Sequence, residues 1–165
     1  MSGAGAPNLT VDASGLRIAI IAGSWHDEIM SSLIEGAQTT VAASGAEHSL
    51  FRVAGAFELP LAAQAALTPA EQGGGGFDAA VCLGVIIRGG TPHFDYVCNA
   101  VTDGLTRVQL DAGLPVGFGV LTTDDEQQAL DRSGRRGSSE SKGQEAAEAA
   151  LHLAIATRTI AATAL

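Results

Sequence analysis

Val81-Cys82-Leu83-Gly84-Val85-Ile86-Ile87-Arg88-Gly89-Gly90-Thr91-Pro92-His93-Phe94-Asp95-Tyr96-Val97 is the stretch whose reading decides the fold. Val81 to Ile87 is an almost unbroken apolar run, as expected of a strand covered on both faces. Thr91 suits a helix N-cap, and Pro92 suits the first helical position, where a missing N–H costs nothing. The stretch therefore reads as strand, tight turn and helix. Gly89 and Gly90 carry no Cβ, so a ligand can approach the backbone closely. Free N–H groups and the positive end of the helix dipole make such a turn a natural phosphate seat. His93 follows, placed to exchange protons with whatever is bound. The same kind of turn also closes many strand–helix junctions without binding anything, and a lone His is commonly surface decoration. These residues by themselves leave both readings open.

Working outward, Leu16 to Ala22 is a short apolar run without turn residues, expected as a central strand. From Asp27, Ile29, Met30, Leu33, Ile34, Ala37 and Val41 recur at helical spacing until Ser44-Gly45 stops them. His48 to Val53 reads as a second strand, and a short helix follows Pro60 through Leu67. Gly73 to Gly76 reads as a flexible connector. Ala79 to Ile87 is the third strand, and Phe94, Val97, Val101, Leu105 and Val108 give the next helix its buried stripe. Val116 to Leu121 is a fourth strand, Asp124 to Arg132 a short helix, and the last helix runs from about Lys142. Strands alternating with helices predict an α/β fold, a parallel sheet with helices on both faces and right-handed crossovers.

Composition narrows the function. The 165 residues fit one domain, and 46% hydrophobic content supports a packed core. A formal net charge of −9 argues against nucleic acid, whose phosphates need a basic face. Any phosphate-bearing substrate must then be held by local cations, and Arg88, Arg132 and Lys142 are the candidates. Of these, Arg88 is expected to shape its turn through a surface ion pair. Met1 to Gly15 has neither a basic start nor an apolar core, so it does not read as a secretion signal. No stretch is long and apolar enough to cross a bilayer, the run from Ala146 being interrupted by Glu148, His152 and Arg158. A soluble, cytoplasmic protein without a membrane partner is expected. Cys82 and Cys98 have no metal or CxxC spacing and read as reduced packing residues. No metal-ligand cluster stands out, nor does GxxxxGK[ST] or a strand-anchored GxGxxG, which weakens kinase and dehydrogenase readings.

In a parallel sheet, ligands bind beyond the carboxyl ends of the strands. Ser24, Trp25 and His26 follow the first strand. Trp25 is the only tryptophan and falls where a core aromatic is not expected. It suits stacking on a flat heteroaromatic ligand, or else a surface or interface role. Ala56-Phe57-Glu58 follows the second strand, with Glu58 the only charge in an apolar setting. It is either a ligand contact or a complement to a helix dipole.

Gly84 to Val97, Gly55-Ala56-Phe57-Glu58-Leu59-Pro60, Gly23-Ser24-Trp25-His26 and Gly119-Val120-Leu121-Thr122-Thr123 together resemble the signature blocks of the lumazine synthases. Glu126, Gln128, Ala129 and Arg132 follow in order, and the resemblance runs from about Gly15 to the C-terminus. It implies a flavodoxin-like three-layer sandwich with a four-stranded parallel sheet. That domain would span residues 15–165, after a flexible segment over 1–14. It also implies a transferase that condenses 5-amino-6-(D-ribitylamino)pyrimidine-2,4-dione with 3,4-dihydroxy-2-butanone 4-phosphate. The product is 6,7-dimethyl-8-ribityllumazine, in the penultimate step of riboflavin biosynthesis, with no cofactor and no metal.

On the same resemblance, His93 shuttles protons, the work of a general acid and base for which an imidazole is suited. Ser24 and Trp25 hold the pyrimidine, and Ala56, Phe57 and Glu58 hold the ribityl chain. Val85, Ile86 and Ile87 offer backbone contacts to the ring edge, Phe118 covers the ring, and Lys142 contacts it. Gly89, Gly90, Thr91 and Arg132 hold the phosphate, Gly90 through its backbone alone. The resemblance further implies a homopentamer with sites shared between neighbours, and in some relatives a shell of sixty subunits. Functional coupling to riboflavin synthase follows in the same way. The Ser133–Ser141 loop is slightly longer than the Gly-Asn-Lys-Gly-type turn of shell-forming relatives, so an isolated pentamer is expected. The competing readings are a flavin-binding electron carrier and a ligand-binding or assembly protein without catalysis. Against the carrier, the phosphate turn follows the third strand and not the first.

Overall fold

The computed structural model describes residues 10–163. Four strands, β1 (Arg17–Ala22), β2 (Glu47–Arg52), β3 (Ala79–Ile87) and β4 (Val116–Thr123), form one parallel sheet in the order β2-β1-β3-β4. The helices are α1 (Asp27–Ala43), α2 (Leu59–Leu67), α3 (His93–Ala112), α4 (Glu126–Leu130) and α5 (Lys142–Ala162). The flavodoxin-like sandwich expected from the sequence is thus the observed architecture.

Two cores lie on opposite faces of the sheet. Ile18, Ile20, Val81 and Leu83 pack with Met30, Leu33, Ala147 and Leu151 beneath α1 and α5. Ala19, Ile21, Cys82 and Ile86 pack with Leu59, Ala63, Val101 and Leu105 beneath α2 and α3. β3 is buried along almost its whole length, which is why its sequence is apolar without alternation. Edge strand β2, by contrast, is exposed at every position except His48.

Two expectations change. The glycine run is a knitted turn and not an open connector: Gly74, Gly75 and Gly76 donate to the carbonyls of Pro69, Ala65 and Thr68 at 3.1, 2.9 and 2.9 Å. A methyl on Gly74 would collide with the Thr68 carbonyl, so these glycines are there for space as well as for turning. Thr91 is not the cap of α3 either. The residue before the helix is Pro92, already at φ −63, and no side chain caps this end. Proline's fixed φ suits the first helical turn, and with Pro92 already at helical angles the chain enters α3 through the proline itself, without a side-chain hydrogen bond.

Residues 1–9, most of the expected segment 1–14, lie outside the described residues. Of the remainder, Ala13 is fully buried and its N–H donates to the Ser44 carbonyl at 2.8 Å, while Val11 packs on the α1/α5 core. Packing therefore begins upstream of Gly15. No helix among the described residues is long and apolar enough to cross a membrane.

Candidate active site

Parallel strands put all four carboxyl ends at one edge of the sheet, and the loops leaving that edge carry most of the candidate residues. The loops after β1 and β2 are stitched together. Ser24 donates through its hydroxyl to the Val53 carbonyl at 2.8 Å, and its N–H donates to the Ala54 carbonyl at 3.3 Å. Arg52 Nη2 donates to the Gly23 carbonyl at 2.8 Å. Ser24 therefore works first as a splice between the loops.

Trp25 lies against Gly55: a methyl there would stand 3.4 Å from Trp25 Cδ1 and Nε1, and 3.4 Å from Glu58 Oε2. Trp25 and Glu58 thus converge on one glycine. Trp25 is 68% exposed, with its ring not spent on the core. His26, next in sequence, has φ 57, the only positive φ outside glycine among the described residues. That left-handed step turns the chain from the Trp25 loop into α1.

Glu58 ends a 3-10 turn (Ala56–Glu58) that leads into α2, and its Oε2 accepts from the Gly55 N–H at 2.8 Å. This is half of a capping box, so the dipole-complementing role is real. The residue nevertheless remains exposed, as does Phe57 at 62%, whereas Ala56 is buried. Pro60 holds this turn against α3, seated where Gly104 has no Cβ; a methyl on Gly104 would come within 2.7 Å of it.

β3 runs past its neighbour. β1 pairs with β3 only as far as Ala22 opposite Leu83, while β4 accompanies β3 to Thr123 opposite Ile87. The Leu83 carbonyl accepts from Gly23 N on the β1 side, and Arg88 N donates to Thr123 on the β4 side. Alternation along a strand then turns the main-chain groups of Val85 and Ile87 toward the side that β1 leaves uncovered. Those of Ile86 are turned toward β4. Its side chain lies in the α2/α3 core, so of the three residues expected to offer backbone, Ile86 is the one already engaged.

The turn after β3 is held by Arg88. Its Nε pairs with Asp124 at 2.8 Å, its Nη1 with Asp95 at 3.3 Å, and its guanidinium lies 4.2 Å from the centre of the Phe94 ring. The cation is spent on fixing the turn to α3 and to the end of β4, as expected of it. Gly89 and Gly90 meet open space: a methyl on either would touch nothing within 4 Å. The protein's own packing does not require glycine there. Thr91 and His93 are exposed, and with no side-chain cap on α3 the first N–H groups of the helix face the same turn.

The loop after β4 unites a second set. Asp125 caps α4, accepting from Gln128 N at 2.8 Å, and Arg132 Nη1 donates to the Gln128 carbonyl at 2.9 Å. The Lys142 N–H donates to the Arg132 carbonyl at 3.0 Å, so the first residue of α5 is tied to the end of the α4 turn. Lys142 Nζ pairs with Glu140 at 2.6 Å and Glu145 at 2.7 Å. A solvated lysine, the ordinary state of one in a Ser/Gly-rich loop, is thus not what the structure shows. Phe118 stands apart from the strand ends, midway along edge strand β4 opposite Cys82, 45% exposed on the α2/α3 face.

The sequence reading gave no role to Asp124, Asp95 or Glu140. Asp124 had no local signal, because its partner is 36 residues away. Glu140 had one: it lies two residues from Lys142, and in extended chain such residues share a side. A groove of about 590 Å³ lies between α2 and α3, lined by Pro60, Leu61, Gln64, Arg107 and Leu114 among others, and none of the expected site residues borders it. Among the described residues, no three His, Cys, Asp or Glu gather as a metal-binding group.

Comparison with known proteins fits this geometry. Residues 15–158 match the family model described as 6,7-dimethyl-8-ribityllumazine synthase. A protein of that name from Leifsonia xyli subsp. xyli is 59% identical over 162 residues, covering 97% of this chain and 99% of the relative. Another, from Nocardioides sp., is 57% identical over 166 residues, covering 99% of each chain. A third, from Kineococcus radiotolerans, is 55% identical, covering 98% and 97%.

Proposed function

This chain belongs to the 6,7-dimethyl-8-ribityllumazine synthase family, and from that premise we propose how its residues divide the reaction. The enzyme is a transferase of riboflavin biosynthesis. It condenses 5-amino-6-(D-ribitylamino)pyrimidine-2,4-dione with 3,4-dihydroxy-2-butanone 4-phosphate, giving 6,7-dimethyl-8-ribityllumazine and phosphate. The observation that carries the division of labour is the uncovered edge of β3, with the Trp25 loop on one side and the glycine turn following it.

In this reading the pyrimidine stacks on Trp25 and pairs its polar edge with the main chain of Val85 and Ile87. The ribityl hydroxyls donate to Glu58 and meet the backbone of Ala56 and Phe57. Buried hydroxyls need such partners, because each one left unpaired is costly. The ketone phosphate sits with its phosphate on the N–H groups of Gly89, Gly90 and Thr91, facing the Arg132 guanidinium. The pyrimidine amine attacks the ketone carbon and water leaves. Phosphate is then eliminated, and the ribityl-bearing nitrogen attacks the carbonyl that remains, expelling a second water as the ring closes. His93 accepts and returns the protons of these steps, and holding two substrates together supplies much of the acceleration.

The working unit in this reading is a ring of five. Trp25, Phe57 and Phe118 are too exposed in one chain to enclose a heterocycle, and a neighbour supplies the missing wall. Trp25, Glu58 and His93 come from one subunit, and Phe118, Arg132 and Lys142 from the next. The Ser133–Ser141 loop, closed by its own antiparallel bridge and by the Arg135–Glu28 ion pair, favours an isolated pentamer over a shell. Light scattering distinguishes the two. We read the enzyme as cytoplasmic, with its product passing to riboflavin synthase.

The decisive experiment mixes purified protein with both substrates and follows lumazine fluorescence. Product formation in a single turnover is expected. Its absence at saturating substrate would overturn the reading, and a yellow protein reducible by dithionite would favour a flavin carrier.

A further inference from the structure

Lys142 is the first residue of α5, a poor electrostatic position for a cation, because the positive end of the helix dipole lies there. It is also largely withdrawn from water, its side chain 18% exposed and that of its partner Glu140 10%. Every other ion pair among the described residues has a partner 38% exposed or more. Burying an ion pair costs desolvation and is weak evidence for added stability. A half-buried lysine at a helix start is therefore a local conflict, of the kind that concentrates at functional positions.

The backbone explains how the pair is aimed. Ser141 is extended, at φ −127 and ψ 86, so Glu140 and Lys142 project to the same side. Ser141 also bridges antiparallel to Ser133. The N–H groups of Ser139 and Glu140 both donate to the Asp131 carbonyl, at 3.0 and 3.1 Å, and that of Lys142 to Arg132. The carboxylate is thereby pinned to the segment that carries Arg132. The Lys142 ammonium, paired with it, holds the Glu140 carboxyl below its ordinary range against the opposing effect of burial, and the Arg132 charge adds to this. Burial would depress the Lys142 ammonium, but Glu140 and Glu145 outweigh it and keep the group charged.

We propose that Glu140 is a positioning residue that fixes the Lys142 ammonium for the carbonyl edge of the pyrimidine and withholds it from the phosphate held by Arg132. The proposal rests on the reading that Lys142 meets the ring. An unrestrained lysine beside an arginine would turn to the most anionic group available, which is phosphate. Glu140 neutralises that tendency and leaves the two cations with different substrates.

The test titrates the parent, Glu140→Gln, Glu140→Asp and Lys142→Ala with the pyrimidine substrate alone, followed by Trp25 fluorescence, and with inorganic phosphate by calorimetry. Glu140→Gln is expected to weaken pyrimidine binding about tenfold, as for one misplaced charge-assisted hydrogen bond, while phosphate binds as well or more tightly. Pyrimidine affinity should also begin to fall at lower alkaline pH than in the parent, since Lys142 has lost a partner that raised its pKa. Glu140→Asp should recover part of both effects. If Glu140→Gln weakens both ligands equally, or neither, or leaves the alkaline limb unmoved, Glu140 is not a positioning residue. If Lys142→Ala leaves pyrimidine binding intact, the ring contact itself is wrong and the proposal falls with it. Loss with Lys142→Ala but not with Glu140→Gln overturns the proposal alone.

Discussion

The backbone N–H of Lys142 donates to the carbonyl of Arg132 at 3.0 Å, so two cations ten residues apart in sequence are carried by one hydrogen-bonded unit. Their side chains diverge in partner. Arg132 reaches back to the Gln128 carbonyl, and Lys142 is held between Glu140 and Glu145. A single rigid unit that carries two differently committed cations suits a site receiving two substrates.

Arg132→Ala should therefore raise KM for the ketone phosphate by about ten- to a hundredfold, the range for losing hydrogen bonds to a charged group. KM for the pyrimidine should change little, and inorganic phosphate should cease to compete. Steady-state kinetics with each substrate varied in turn checks this. A pyrimidine-only effect would reassign the two halves of the site.

His93→Ala should slow the chemical step while leaving both binding constants near the parent's. General acid–base catalysis by one side chain is worth roughly 10²–10⁴-fold, and a condensation that proceeds slowly unaided places the loss near the lower figure. Single-turnover fluorescence resolves the step. An unaltered rate would remove His93 from the mechanism.

Gly89→Ala separates ligand approach from fold. The added methyl meets no protein atom within 4 Å, and the residue is not at positive φ, so folding should be unharmed. Stability should hold or rise by up to about 1 kcal/mol through the reduced entropy of the unfolded chain. Phosphate affinity should nonetheless drop, on the order of tenfold, from the loss of one good contact to an anion. Thermal unfolding and calorimetry on the same sample test both halves, and unaltered phosphate binding would move the anion away from this turn.

Mixed rings test the shared site. Co-assembled His93→Ala and Arg132→Ala subunits should regain activity at about a quarter of their interfaces, because each site needs one intact contributor from either side and a ring repeats one interface. Native mass spectrometry verifies the mixing. Verified mixed rings with no activity would place each site within one chain.

Much of this was legible in the sequence for identifiable reasons. β3 is buried on both faces, so its apolar run could hardly be anything but a central strand. The helix stripes of α1 and α3 survive in the buried Ile29, Leu33, Val41, Val101 and Leu105. The glycine run misled because glycine serves turning and close packing alike, and only the Thr68 carbonyl shows which is meant. Arg88 was readable as a turn former, but Asp124 was not, since nothing local links residues brought together by adjacent strands. The reach of β3 beyond β1 was also invisible, because it depends on where a neighbouring strand stops.

That overhang has a consequence for how the enzyme can change. If the ring is read by main chain as proposed, that surface is the same for every amino acid that the strand tolerates, so point substitutions at Val85 or Ile87 alter the α1/α5 core into which their side chains pack and leave its lettering intact. A different heterocycle would be admitted by shifting where β1 ends, a matter of insertion or deletion in the Gly23–His26 loop. Selection acting one residue at a time would find that feature nearly immovable.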